Sequence, residues 1–295
     1  MIHGIDEQTD DAPFGRIAIV GFGLIGASIA LAARKRWAST RIIAVDRTDI
    51  VSSAVRAKAA DDGGDALDRC AGADLIVLAA PVQANIRILC ELPAHVSGET
   101  VVTDVGSTKR QMIESARRSP ARFNFIGGHP LAGAATGGFD AARSDLFAGH
   151  PWILTPIDQQ RTGVERLSRF IEGLGARVHT MTPEAHDHAV AYLSHLPQIL
   201  ASALMHLVGE RTGEEGLALA GRGLRDTTRL ASSPASIWGD IAATNRDNIS
   251  RAIDELIQVL VQLKAEQPGA DAALATTFES AARWRRVLDE GRESA

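Results

Sequence analysis

Residues 17–26 read Ile17-Ala-Ile-Val-Gly21-Phe-Gly23-Leu24-Ile25-Gly26, an apolar run that breaks into three spaced glycines and continues as Ala27–Arg36. Four consecutive apolar residues followed by a GxGxxG turn predict a buried strand feeding directly into a helix. Each glycine has its own task in such a turn. The first permits the tight bend, the second lets a diphosphate approach the backbone, and the third lets helix and strand pack closely. The unpaired N–H groups and positive dipole end of the helix then face the phosphates. A second apolar run, Arg41–Val45, ends in Asp46, twenty residues beyond Gly26. A carboxylate at that strand end can accept hydrogen bonds from both ribose hydroxyls of an adenosine and would repel a 2′-phosphate, which favours NAD over NADP. The neighbouring Arg47 can pair with a phosphate or lie over the adenine ring. The cofactor-binding set is therefore Gly21, Gly23, Leu24, Ile25, Gly26, Asp46 and Arg47, with Pro81 just past the strand that ends at Ala79.

Working outward, the alternation continues with apolar strands over 74–79, 100–105, 123–126 and 151–154, a helix from about Ser107 to Arg117, a helix over 164–174 and a last strand over 176–181. Strands separated by helices imply parallel pairing and an α/β Rossmann domain. From Pro183 onward strand patterns cease and the spacing turns helical, with Ile253, Leu256, Ile257, Leu260 and Leu263 forming one apolar stripe. The expected division is residues 14–182 as the dinucleotide-binding domain and 183–295 as an all-helical domain.

Composition narrows the partners. With 295 residues, 45% hydrophobic and 23% charged, the chain has the make-up of a folded two-domain protein. A net charge of −5 has the wrong sign for a protein that neutralises phosphate backbones, so nucleic acid is not an expected partner. The two cysteines, Cys70 and Cys90, make neither a disulfide framework nor a zinc motif. Asp6, Glu7, Asp10 and Asp11 crowd the start where a secretory leader would be basic and then apolar. The seventeen uncharged residues of 17–33 are interrupted by the glycine turn, so no membrane span is expected and the cytoplasm is the expected home.

Three places carry candidate chemistry. Asp104-Val-Gly-Ser107-Thr-Lys109 follows a strand, and its hydroxyl can either cap the next helix or reach a ligand. Gly127-Gly128-His129-Pro130 sets an imidazole at a strand end between glycines, a setting suited to proton transfer near neutral pH. His186-Asp187-His188 and Ser194-His195-Leu196-Pro197 fall on one helical stretch, where a spacing of seven puts 188 and 195 on one face. Pro197 would kink that helix and aim His195 into a cleft. The His186/His188 pair points to different faces and lacks zincin spacing, so no metal is expected. Arg225 and Arg229, four apart with Asp226 between them, suit a dicarboxylate, although a pair of surface arginines has the same spacing.

In this order the segments GFGLIG, DVGSTK, GGHPLAG, HDxxxAxLSHLP and GLRDTTRLASS, followed by Pro234 and Trp238, resemble the prephenate/arogenate dehydrogenase family over nearly the whole chain, from Arg16 to about Lys264. The resemblance implies a Rossmann domain, a helical dimerisation domain, a homodimer, and NAD-dependent oxidative decarboxylation of prephenate or arogenate. It further implies His129 as the base for the ring hydroxyl, Ser107 as the residue orienting it, and His195 and Arg229 as pocket residues, Arg229 for a carboxylate. Two departures stand out: Ala134-Ala135 where relatives carry Thr/Ser-Glu, and Gln198 where a second histidine often follows SHLP. The length leaves no room for a fused mutase or regulatory domain, so a monofunctional enzyme is expected.

Overall fold

A computed structural model describes residues 11–96, 98–119, 123–134, 136–157, 161–265 and 271–293; Ala135 and the acidic residues before Asp11 lie outside them. The first half builds β1 (Arg16–Val20), α1 (Leu24–Arg36), β2 (Arg41–Val45), α2 (Thr48–Arg56), β3 (Asp62–Gly64), β4 (Leu75–Leu78), α3 (Val82–Glu91), β5 (Val101–Asp104) and α4 (Arg110–Arg118). It continues with β6 (Asn124–Pro130), β7 (Pro151–Pro156), α5 (Arg161–Gly173), β8 (Arg177–Thr180) and α6 (Pro183–Val190). One eight-stranded sheet runs in the order β3-β2-β1-β4-β5-β6-β7-β8. Its first six strands follow the doubly wound order that places ligands at the carboxyl ends of the strands.

One strand departs from the all-parallel expectation and another was not anticipated. Strand β7 runs antiparallel to β6, with His129 opposite Ile153. Among the described residues no crossover helix separates these strands, only a connection with a short 3₁₀ turn at Phe139–Ala141, so the chain can reverse instead of crossing over. The three-residue β3, two of them glycine, has no apolar pattern to announce it. The sheet is buried on both faces: Ile17, Ile19, Leu75 and Val77 face one cluster, while Ala18, Ile43, Ile76 and Val102 face the other.

The second half is helical: α7 (Leu196–Ala218), α8 (Arg222–Thr227), α9 (Ala235–Thr244), α10 (Arg246–Ala265) and α11 (Asp271–Glu293). The compact units do not divide at residue 182. One comprises the chain through Val190 together with Ser233–Thr244, and the other comprises Ala191–Ser232 with Asn245–Ala295. Helix α6 stays with the sheet because Asp187 accepts hydrogen bonds from the backbone of Lys109 and Arg110. Helix α9 belongs to the same unit, where the hydroxyls of Thr108 and Thr244 lie 2.7 Å apart.

In the second unit Ala191–His195 form a π-helical turn ahead of α7. Pro197 has no N–H to offer the carbonyl one turn back, and π turns arise where the i→i−4 ladder is broken. The extra residue shifts the phase, so the shared face expected for 188 and 195 does not form: His188 is exposed and His195 buried. The arginine pair changes too. Helix α8 ends at Thr227, Thr228 is its C-cap, and Arg229 begins a separate 3₁₀ turn, so Arg225 and Arg229 do not share one helix.

Candidate active site

The glycine turn opens a cleft of about 750 Å³ lined by Gly21, Gly23, Asp46, Arg47 and Pro81 among others. Gly21 has φ +93°, and a Cβ there would sit 2.6 Å from the Ala79 carbonyl carbon, so no other residue fits without moving the backbone. Gly23, the N-cap of α1, has nothing within 4 Å of the place a Cβ would occupy. That open space in front of an uncapped helix N-terminus fits a dinucleotide diphosphate.

Asp46 is held at the rim, with Oδ2 accepting from Phe22 N–H at 2.6 Å and Oδ1 from Arg47 N–H at 2.7 Å. The Arg47 guanidinium is turned to Asp49, with Nε to Oδ1 at 3.1 Å and Nη2 to Oδ2 at 3.0 Å. That partner raises the arginine's pKa and lowers the aspartate's, and it occupies the fork that a 2′-phosphate would need.

Sequence reading missed Asn85, fully buried on α3. Its amide donates to the carbonyls of Leu78 and Ala80 and accepts from Ala80 N–H, fixing the turn that ends in Pro81. An Asn four residues after the proline that follows the strand was the available signal. Pro81 also lines a second cleft of about 350 Å³ with Ile25, Val105, Gly106, Ser107, Asp240 and Ile241. Of these, Asp240 and Ile241 were not anticipated, because they arrive on α9 from a distant stretch of chain.

Beyond Ser107 lies a buried ion pair also missed in the sequence. Lys109 Nζ bonds Asp104 Oδ2 and donates to the Gly128 carbonyl at 2.7 Å, while Asp104 accepts from Gly128 N–H at 3.1 Å and Gly106 N–H at 2.8 Å. Both side chains are fully buried. Burial pushes the lysine pKa down against the opposing pull of Asp104. The pair fastens the loop carrying Ser107 to the strand carrying His129. The neighbouring strand comes so close that a Cβ on Gly128 would lie 2.5 Å from the Asp104 carbonyl oxygen.

His129 stands half-buried near the end of β6, its Nδ1 2.8 Å from Nε2 of His186. The rings meet edge to face at 68°. His186, fully buried on α6, places its Nδ1 2.8 Å from Asp187 Oδ1. Asp187 also accepts from Lys109 N–H at 2.7 Å and Arg110 N–H at 3.0 Å. Burial alone would raise that carboxyl, but the His186 imidazole and the two amides outweigh it and hold it below the usual carboxylate range. His129 and His186 are 57 residues apart, and nothing local in either motif announces the pairing. Among the described residues no cluster of three His, Cys, Asp or Glu side chains is arranged to hold a metal.

The other two expected site residues lie in the second unit. His195 is buried in the π turn, with Asn245 Nδ2 3.4 Å from its Nδ1. Asn245 Oδ1 accepts from Asn248 Nδ2 at 2.8 Å. Arg229 is exposed at its 3₁₀ turn, and Gln198 donates to the Leu230 carbonyl at 2.7 Å, bracing that turn against α7.

Cleft and sheet together define the class, a dinucleotide-binding α/β protein, and the comparisons make it an NAD-dependent oxidoreductase. Residues 29–180 match the family model for the prephenate dehydrogenase nucleotide-binding domain, and residues 182–273 match that for the prephenate dehydrogenase dimerization domain. The chain therefore belongs to the prephenate dehydrogenase family. It is 36% identical to a prephenate dehydrogenase of Bacillus subtilis over 92% of this chain and 76% of that one. Among solved structures it is similar to prephenate dehydrogenase from A. aeolicus in complex with hydroxyphenyl propionate and NAD+, with a TM-score of 0.81, 28% identity, and 95% and 97% of the two chains covered. It is also similar to Synechocystis arogenate dehydrogenase, with a TM-score of 0.77, 32% identity, and 95% and 99% covered.

Proposed function

We propose that the chain converts prephenate to 4-hydroxyphenylpyruvate by NAD-dependent oxidative decarboxylation. The observation that carries this reading is His129: an imidazole at the carboxyl end of a sheet strand, with one ring nitrogen already engaged inside the protein. NAD, when bound, supplies the hydride acceptor. His129 takes the proton of the C4 hydroxyl as the C4–H bond gives up its electron pair and the carbonyl forms. The C1–carboxylate bond then breaks, CO₂ leaves, its electrons complete the aromatic ring, and the phenolate oxygen recovers the proton. Ser107, on the second cleft with Pro81, orients the hydroxyl. His195 lines the substrate pocket, and Arg229 holds a carboxylate through its guanidinium fork.

Residues 14–182 serve the cofactor and 183–295 serve substrate binding and dimerisation. The matched dimerization model and the apolar side chains exposed on α10 and α11 support a homodimer. Two free cysteines and an acidic balance suit the cytoplasm, and no described helix is long and apolar enough to cross a membrane.

Arogenate is the second reading, favoured by the similarity to the Synechocystis enzyme. Its ammonium would need an acidic contact, and the sequence has Ala135 where relatives carry Glu. NADH formation with prephenate, with arogenate and with neither tests the assignment. Turnover of prephenate well above arogenate is expected, and the reverse order would overturn the substrate choice.

A further inference from the structure

We infer that Asp240 faces the nicotinamide half of the bound cofactor and weights the site toward the oxidised, positively charged ring over the reduced, neutral one. The inference depends on NAD as the cofactor and is independent of which substrate the enzyme oxidises.

A dinucleotide is two nucleosides joined by a diphosphate, and the first unit offers two clefts that share a wall. The cleft of about 750 Å³ runs from Gly21 and Gly23 to Asp46 and Arg47, the end that suits the adenosine. The cleft of about 350 Å³ has Ala79, Ala80 and Pro81 in common with it and adds Ile25, in the first turn of α1, and Ser107. With the diphosphate at Gly23 and the adenosine at Asp46, the nicotinamide half is left with the second cleft, beside Ser107. Every residue lining that cleft belongs to the first unit, Asp240 and Ile241 included.

Among the described residues lining the second cleft, Asp240 carries the one charge, and the rest are apolar or glycine apart from Ser107. Asp240 is half-buried, and among the described residues no ion pair or hydrogen bond reaches its carboxylate. The two charges behind Gly106, on Lys109 and Asp104, are already paired with each other. The backbone of Asp240 is anchored before any ligand arrives. Thr244 Oγ1 donates to the Asp240 carbonyl at 2.8 Å and lies 2.7 Å from Thr108 Oγ1, on the loop that carries Ser107. A lone charge in a largely apolar cleft is weakly screened. It attracts a cationic ring and is indifferent to a neutral one, so the carboxylate holds NAD+ and loses its grip once hydride has arrived. The reduced cofactor then leaves more readily.

Calorimetry with NAD+ and fluorescence titration with NADH give the two dissociation constants on the full-length protein. Asp240→Asn keeps the shape and removes the charge. The ratio of the NADH constant to the NAD+ constant is expected to fall ~10-fold, almost wholly through weaker binding of NAD+. Asp240→Glu keeps the charge and is expected to hold the ratio within ~3-fold of the unaltered protein. An unchanged ratio in the Asn variant would overturn the inference, whether both constants stay or both rise together, since a contact blind to charge cannot tell the two forms apart. A Glu variant that lost the bias as fully as Asn would overturn it too. So would fixed cofactor constants with a changed KM for substrate, which would place Asp240 on the substrate. Failure of the cofactor reading looks different: the unaltered protein would then bind neither form.

Discussion

The two compact units solve burial differently. In the first, Ile17, Leu75 and Val102 are wholly enclosed, and even a lysine and two aspartates are buried with their partners. In the second, the long helices leave Phe278 67%, Trp284 62% and Leu288 60% exposed, with Leu260 at 52%. Large contiguous apolar patches on a soluble monomer mark interaction surfaces. The first unit carries a finished hydrogen-bonded framework, and the second presents a surface still to be covered. In the proposed function, chemistry is assigned to the former, and assembly and substrate capture to the latter.

The largest expected effect tests the first unit's share of the chemistry. His129→Asn should lower kcat by ~10²-fold or more while calorimetry shows unchanged NAD affinity. If turnover survives, the framework positions nothing catalytic. Arg229→Ala probes the second unit and should raise KM for prephenate by ~10–10²-fold with a smaller change in kcat, as expected for one charge-assisted carboxylate contact. Equal changes in both constants would erase the division of labour. Asp46→Ser should shrink the kcat/KM preference for NAD over NADP by ~10-fold, and an unchanged ratio would remove Asp46 from the ribose site.

Smaller effects sharpen the contrast in burial. Leu260→Glu should roughly halve the mass read by light scattering, because a charge placed in a covered apolar face costs more than the face contributes. A mass that stays whole would mean another surface joins the subunits. Asp187 offers a pH test within the first unit. Its folded pKa is depressed, so the stability it contributes is complete above the ordinary carboxylate value of about 4 and is lost as pH falls through the lower folded value. Asp187→Asn should therefore flatten the acid limb of melting temperature against pH, and an unaltered limb would place acid sensitivity elsewhere.

Much of the first unit was legible because its signals are local. The strand over Arg41–Val45 and the turn at Gly21–Gly26 follow from neighbouring residues alone, since apolar runs and glycine spacing act within a few positions. The reversal between β6 and β7 was not legible, because an apolar strand looks the same in either direction. The π turn escaped for a related reason: periodicity assumes a constant 3.6 residues per turn, and one added residue moved His195 off the face shared with His188. The His129–His186 contact was hidden by distance along the chain. The Lys109–Asp104 pair was within reach, since two opposite charges flanking a glycine turn at the end of an apolar strand have few places to go.

The Arg47–Asp49 fork bears on how the enzyme could be re-engineered toward a phosphorylated cofactor. Removing the carboxylate at position 46 only vacates the shelf, because the adjacent guanidinium is already spoken for. A phosphate would gain a partner only after position 49 is also neutralised. The two substitutions should thus be synergistic, and a library that changes one site at a time would walk past the solution.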